Sequence, residues 1–158
     1  MDATREARTY TPAPGRLPLP ARGESPAVGL RSARVLLACA DPTLSDTLET
    51  VLRGHGEEVA PAGVVVRRVH DGIACLQALE MAKPDLLVLH SALDRMSGAE
   101  VLSAWRAAHP DERLPVLVLS SLYLSDLSPD LRREECIALP CDNLDLVERA
   151  ARLLLEVA

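Results

Sequence analysis

Short runs of aliphatic residues alternate along the chain with longer stretches in which apolar residues recur every three or four positions. Most runs are apolar at nearly every position, which is typical of strands buried on both faces of a parallel sheet. Five strands are predicted in this way, at residues 34–38, 64–69, 85–89, 115–119 and 136–139. Because each strand is followed by a helical pattern, the sequence indicates five successive βα units.

Capping residues mark where the predicted helices begin. An Asp or Ser side chain just before a helix can accept a hydrogen bond from a free backbone N–H, and proline fits the first helical position. Candidate caps precede four of the helical stretches: Asp41 followed by Pro42, Asp71, Ser97 with Glu100, and Asp142. A further, short helix is predicted at residues 129–135.

This order of elements predicts an α/β fold, a doubly wound five-stranded parallel sheet with helices on both faces. In such folds the functional crevice lies at the carboxyl ends of the strands. The residues that follow the strands at this edge are Cys39, Ala40, Asp41, His90, Ser120, Ser121, Leu139 and Pro140. Functional side chains are therefore expected first among them.

Composition agrees with an α/β domain built from aliphatic residues. Hydrophobic residues make up 48% of the 158 residues, yet the chain has no Phe and one Trp, so Leu, Val and Ala must form the core. The formal net charge is −6; residues 1–33 carry +2, from five Arg and three acids, so the rest carries −8. An acidic domain without a basic stripe argues against nucleic-acid binding.

The first 33 residues differ in composition from the rest. They hold five of the twelve prolines and show no periodicity, which predicts a disordered Pro- and Arg-rich tail before a domain at residues 34–158. A docking segment and a misassigned start are alternatives for this tail. No apolar run approaches the ~18 residues of a membrane span, and no signal-peptide core is present. A cytoplasmic location with reduced thiols is therefore expected.

Four blocks resemble, in the correct order, the receiver domain of two-component response regulators. "VLLACADPT" resembles its first strand and the acidic residues that follow, and "KPDLLVLHSALDRMSGAEVL" resembles its phosphoacceptor strand, loop and third helix. "LPVLVLSS" resembles its fourth strand, and "ALPCDNLDLVERA" its fifth strand, lysine–proline corner and last helix. The resemblance covers residues 34–158 and implies a flavodoxin-like, CheY-like fold in a bacterial signalling pathway.

The resemblance also implies a phosphorylation site, but its defining residues differ here. In the family, two carboxylates after the first strand and an aspartate after the third bind Mg²⁺, and that aspartate accepts the phosphoryl group. The matching positions hold Cys39, Ala40 and His90. Leu139 matches the lysine after the fifth strand, and only the hydroxyl after the fourth strand, Ser120, is retained. A pseudo-receiver without catalytic activity, metal or cofactor is therefore predicted.

A protein partner is the expected target of such a domain. Receivers commonly use the face of the fourth helix, fifth strand and fifth helix for partner contact or dimerisation. In this chain that surface is predicted to include Tyr123, Leu127, Leu131, Asp145, Arg149 and Arg152. The resemblance further implies a cis bond between Leu139 and Pro140. The sequence departs from the family in a connection at residues 54–63 that is longer than usual and in a shortened helix at residues 129–135.

Two alternative functions use other residues. Asp41 and Asp94 could form a displaced acidic site that is phosphorylated in place of the missing aspartate. Cys39, His90 and Cys141 could instead form a metal- or redox-responsive site, because Zn²⁺ favours thiolate and imidazole ligands. The cysteines lack a Cys-x2-Cys spacing, so the second alternative depends on the fold bringing the three side chains together.

Overall fold

Strands and helices alternate through the part of the chain that the computed structural model describes, residues 31–121 and 127–157. The strands are β1 (Ala33–Ala38), β2 (Val64–Val69), β3 (Leu86–His90), β4 (Val116–Ser120) and β5 (Glu135–Ala138). The helices are α1 (Pro42–Gly54), α2 (Gly56–Val59), α3 (Gly72–Met81), α4 (Gly98–Ala108), α5 (Pro129–Arg132) and α6 (Asn143–Val157).

The five strands form one parallel sheet in the order β2-β1-β3-β4-β5. This order confirms the predicted doubly wound fold. All five predicted strands are present, and each strand boundary differs from its prediction by at most one residue. The strand ends therefore meet at the predicted carboxyl edge.

Alternate residues of the central strands face two separate core layers. In β1, Val35 and Leu37 pack in the layer with α1 and α6, whereas Leu36 and Ala38 pack in the layer with α3 and α4. β3 and β4 alternate in the same way. The largest fully buried side chain is Trp105 of α4, at 1% exposure. Burial on both faces explains why these strands are aliphatic at every position.

All four predicted helix caps are formed. In each, a side-chain oxygen accepts a hydrogen bond from a backbone N–H of the first turn. The bonds join Asp41 to Thr43 (2.9 Å), Asp71 to Ala74 (2.7 Å), Ser97 to Glu100 (3.2 Å) and Asp142 to Leu144 (2.9 Å). The Glu100 carboxylate also accepts the Ser97 N–H at 2.9 Å, which completes the capping box.

Two helices differ from the sequence-based prediction. The connection after α1 contains α2, which the periodicity did not predict; Val59 and Ala60 anchor it, at 4% and 2% exposure. α5 ends at Arg132 instead of residue 135, because Glu135 pairs with Leu117 as the first residue of β5. The two short helices pack on opposite faces of the sheet, α2 in the layer of α1 and α6, and α5 in the layer of α3 and α4.

The prediction that Leu127 and Leu131 lie on a partner surface is wrong. Both side chains are buried, at 5% and 3% exposure, in the core layer of α3 and α4. α5 has a single turn, so the apolar residues beside it and within it cover the sheet instead of facing outward. Tyr123, the third apolar residue predicted for that surface, lies outside the described residues.

Arg31 ties the start of the domain to the amino edge of the sheet. Its guanidinium donates two hydrogen bonds to the Asp85 carboxylate, at 2.8 and 2.9 Å, and the Arg34 N–H donates a third at 2.7 Å. Burial alone would raise the pKa of Asp85, but these donors and charges lower it below its ordinary value of 3.8. Ordered contacts thus begin before residue 34, the predicted boundary, and β1 itself begins at Ala33.

A close backbone contact fixes the loop between β3 and α4. Asp71 and Asp94 form an isolated parallel bridge, and the Gly72 N–H donates to the Asp94 carbonyl at 3.0 Å. The Met96 N–H donates to the same carbonyl at 2.7 Å. A Cβ atom on Gly72 would lie 1.9 Å from the Met96 carbonyl oxygen. Only glycine fits here, so the start of α3 is locked against the loop.

The corner after β5 agrees with the sequence-based prediction. The Leu139–Pro140 peptide bond is cis, as the resemblance implied. Cys39, Cys75, Cys136 and Cys141 are all free of disulfide bonds. Of the helices within the described residues, none combines the length and the apolar composition that crossing a bilayer requires.

Replacing Gly72 with Ala should lower the free energy of unfolding by about 2–3 kcal/mol, because the added methyl group meets backbone atoms that cannot rotate away. Urea denaturation followed by circular dichroism measures the loss. Gly54→Ala is the matched control, since a Cβ there has no atom within 4 Å, and it should be neutral or stabilising. Similar losses in both variants would show that the Gly72–Met96 contact does not constrain the loop.

Asp85→Asn should destabilise the domain at neutral pH, because the Arg31 ion pair is lost. The pKa of Asp85 lies below 3.8 in the folded protein, so its contribution is complete above pH 3.8 and disappears as the pH falls through the folded value. Thermal denaturation of both proteins between about pH 7 and pH 3 should show the difference in melting temperature shrinking on acidification. A difference independent of pH would contradict this role of the carboxylate.

Candidate functional site

The carboxyl edge of the sheet brings the predicted site residues together. Cys39 follows β1, His90 ends β3, Ser120 ends β4 and Leu139 follows β5. The Leu139 N–H donates to the Ser120 carbonyl at 2.8 Å, which extends the pairing of β4 and β5 by one residue. We call the space above these four residues and the adjoining Ala40 the carboxyl-edge crevice.

The β1 side of the crevice is uncharged up to Asp41. Cys39 is 1% exposed, and its thiol donates to the Asp41 carbonyl at 3.6 Å. Burial raises the pKa of the Cys39 thiol above its ordinary value of 9.0, so it is a neutral thiol at physiological pH. The Asp41 carboxylate caps α1 by accepting the Thr43 N–H, and Ala40 contributes only a methyl group.

His90 occupies the tip of β3 as a half-buried imidazole. Its Nδ1 accepts the Ala92 N–H at 3.0 Å, a bond that requires Nδ1 to be unprotonated. Burial lowers the pKa of His90 below its ordinary value of 6.5, although the negative charge of Asp41 opposes the shift. The ring is therefore neutral at physiological pH.

Two hydroxyl groups lie beside the imidazole. The Ser91 Oγ donates to the Ser120 Oγ at 3.3 Å, and Ser120 is 1% exposed. The Ser91 N–H also donates to the Leu119 carbonyl at 2.9 Å, which continues the pairing of β3 and β4. The retained hydroxyl is thus buried and accepts a hydrogen bond from the half-buried Ser91, at the ends of β3 and β4.

Leu139 replaces a cation with an apolar side chain. It packs against the core layer of α1 and α6. Lys83, the only lysine of the chain, precedes β3 at the opposite edge of the sheet, where its ammonium group donates to the Arg113 carbonyl at 2.7 Å. No lysine can therefore reach the crevice.

His70 is a crevice residue that the sequence did not reveal. It follows β2 directly, and its Nδ1 lies 3.2 Å from the Cys39 carbonyl oxygen. Its position after a strand on the same edge was the only available signal, because no motif surrounds it. His70 closes the crevice beside the end of β1.

The crevice does not fit the Mg²⁺ of a phosphorylatable receiver. Mg²⁺ requires oxygen ligands in near-octahedral geometry. Cys39 presents sulfur, Ala40 a methyl group and His90 nitrogen at the positions of the three family carboxylates. Within residues 31–121 and 127–157, no three His, Cys, Asp or Glu side chains are placed to hold a metal ion. The structure therefore does not group Cys39, His90 and Cys141 as a metal site.

Asp94, the candidate displaced acceptor, lies in the loop and not at the tip of a strand. Its carbonyl holds the close contact between Gly72 and Met96, and its exposed side chain does not combine with Asp41 in a group able to hold a metal. Among the described residues, Asp41 and Asp94 are thus not part of a group of three or more side chains able to hold a metal ion.

The polar residues predicted for the partner surface form a connected network. The Arg149 guanidinium donates to Asp145 at 2.9 Å, to Glu135 at 2.9 Å and to the Cys136 carbonyl at 2.7 Å. Arg152 donates to the same Glu135 carboxylate at 2.7 Å. Two arginines thus share one acid where β5 meets α6.

Comparison with known proteins relates the chain to response regulators. It is 34% identical over 88 residues to the DNA-binding response regulator MtrA of Mycolicibacterium smegmatis, covering 56% of this chain and 34% of MtrA. It is 30% identical over 111 residues to protein-glutamate methylesterase/protein-glutamine glutaminase 5 of Anaeromyxobacter dehalogenans, covering 70% of this chain and 28% of that protein. The chain thus spans about a third of the length of these curated relatives. No protein-family model matches it.

A solved structure shares the fold over nearly its whole length. The receiver domain of a sensor histidine kinase from Pseudomonas aeruginosa PAO1, with a magnesium ion coordinated in its active site cleft, has a TM-score of 0.63 against this chain at 22% identity. The match covers 78% of this chain and 98% of that domain. Strand order, crevice position and sequence relatives together show that the chain contains a receiver domain homologous to those of the response regulators of two-component systems.

Proposed function

We propose that the domain is a pseudo-receiver, which signals without phosphorylation by binding a protein partner. The observation that carries the proposal is the neutral His90 imidazole at the tip of β3. Phosphoryl transfer depends on positive charge that stabilises the transferred group, and the crevice presents a buried thiol, a methyl group and Leu139 at the positions that would supply it. Imidazole alone does not restore this chemistry.

A receiver of this kind binds in its resting conformation. A ligand can shift an equilibrium between two conformations only by its different affinity for them. Without phosphorylation no such preference is created inside the crevice. Affinity for the partner then depends on the shape and charge of a surface that is already formed.

The face of α5, β5 and α6 supplies such a surface. Arg149 is held by three acceptors, and Arg152 stays 55% exposed while it pairs with Glu135. Side chains fixed in this way lose little rotamer freedom when a partner binds. The partner surface is defined here by Glu135, Asp145, Arg149 and Arg152, and a second copy of the chain is the alternative partner.

The activities of the relatives are not part of this proposal. MtrA is a DNA-binding protein and the Anaeromyxobacter relative an esterase or glutaminase, and each extends far beyond its matched segment. We assign this domain a non-enzymatic role in the cytoplasm, with a protein rather than a nucleic acid as its partner. The acidic net charge of −6 supports that choice.

Incubation with acetyl phosphate and Mg²⁺ should leave the intact mass of the protein unchanged, because acceptor, metal ligands and lysine are all replaced. Electrospray mass spectrometry at neutral pH measures this. A phosphorylatable receiver treated in parallel is the positive control. A gain of one phosphoryl group that disappears in Asp94→Asn would support the displaced acidic site instead.

Arg152→Glu should weaken partner binding by about tenfold, since it reverses the charge of an exposed member of the partner surface. Binding is measured by affinity capture from a lysate of the source organism with quantitative mass spectrometry, and self-association by light scattering. Circular dichroism confirms that each variant is folded.

Arg53→Glu is the control for this change, because Arg53 is similarly exposed, at 58%, and makes a single helical ion pair with Glu49 on α1. That variant and His90→Gln should bind like the unmodified chain. Loss of binding in His90→Gln, with Arg152→Glu unaffected, would show that the crevice and not the partner surface makes the contact.

A further inference from the structure

A cleft of about 470 Å³ opens at the amino edge of β4 and β5, on the side of the sheet remote from the crevice. Its walls come from the end of α4, the following loop, the segment before β5 and α6. The volume lies within the range of small-molecule sites in proteins.

The acids that line the cleft are already paired. Glu134 bonds Arg106 at 2.9 Å, and Glu135 bonds Arg149 and Arg152. Glu112 lies 3.9 Å from both the Lys83 ammonium and the His109 ring. Each lining carboxylate therefore has a basic neighbour.

Two arginines in the lining have no acidic neighbour among the described residues. Within residues 31–121 and 127–157, no carboxylate lies within ion-pair distance of the Arg113 or Arg133 guanidinium. The protein has a net charge of −6, and most exposed arginines of the described domain pair with acids. Arg113 and Arg133 do not. The uncompensated charge of the cleft is therefore positive.

Partial exclusion of water makes the charges of the lining count for more. Glu134 is 14% exposed, and its ion pair with Arg106 at 2.9 Å offsets the repulsion that its carboxylate would exert on an anion. Leu114 and Leu153 contribute apolar surface to the same lining. Charged groups attract one another more strongly where water is partly excluded.

We propose that this cleft binds a small, doubly charged oxyanion, a dicarboxylate or a phosphate, through Arg113 and Arg133. Guanidinium groups form paired, charge-assisted hydrogen bonds to both kinds of oxyanion. The apolar lining accommodates the short carbon skeleton of a dicarboxylate. Binding here requires neither phosphorylation of the crevice nor a protein partner.

The fluorescence of Trp105 can report binding in the cleft. It is the only tryptophan of the chain, and its ring stacks on that of His109, a lining residue, at a centroid distance of 4.6 Å. The full chain is titrated with glutarate, with inorganic phosphate and with neutral glutaramide, at constant ionic strength. Trp105 fluorescence and the heat of binding by isothermal titration calorimetry are recorded.

We expect a saturable response to glutarate or phosphate and none to glutaramide. The anion that binds more tightly shows whether the natural ligand is a dicarboxylate or a phosphate. The double variant Arg113→Gln/Arg133→Gln should weaken binding by at least about tenfold. Arg132→Gln is the matched control, because Arg132 is an exposed neighbour outside the lining, and it should bind like the unmodified chain.

Three results would overturn the proposal. The first is the absence of saturable signal, in both fluorescence and calorimetry, for both anions. The second is equal weakening by Arg132→Gln and by the double variant, which would indicate diffuse charge attraction. The third is unchanged binding in the double variant. None of these results depends on the acetyl phosphate experiment, so the two proposals fail separately.

Discussion

Burial of the central strands on both faces is the constraint on which the rest of the structure depends. β1, β3 and β4 lie between two helical layers, so no polar side chain is tolerated along their buried length. Polar groups can appear only where the strands end. At the amino edge Asp85 forms an ion pair with Arg31, and at the carboxyl edge the strand ends form the crevice. The position of the functional site therefore follows from the packing of aliphatic residues.

The same constraint explains how a receiver can keep its fold while its crevice changes character. The two core layers do not include the crevice charges of the family, so their replacement by Cys39, Ala40 and Leu139 leaves packing intact. Cys39 and Leu139 even add buried apolar surface. Charge is concentrated instead at the junction of β5 and α6, where Glu135 collects two arginines.

The sequence predicted the features that depend on local pattern. Continuous apolar runs placed all five strands, and Asp41, Asp71 and Asp142 placed helix starts through their capping oxygens. Features that depend on tertiary contacts were missed. α2 has four residues, too few to show periodicity. Leu127 and Leu131 were assigned to the partner surface from the resemblance, whereas their burial depends on how the one-turn α5 packs on the sheet.

The candidate site divides in the same way. The sequence predicted which residues line the site, because the carboxyl ends of the parallel strands meet at one edge whatever residues they carry. Their contacts were not predicted, because the hydrogen bond from Ala92 to the His90 ring depends on the loop conformation, and the burial that lowers the pKa of His90 depends on tertiary packing. His70 carried no motif at all.

The Arg31–Asp85 ion pair has a practical consequence for any protein fused to this domain. It holds the entry point of the chain at the amino edge, about 20 Å along β1 from the crevice, taking ~3.3 Å per strand residue. A label attached at residue 31 itself would therefore lie at the opposite end of the sheet from the crevice. Labelling at this position reports on the amino edge without touching the crevice.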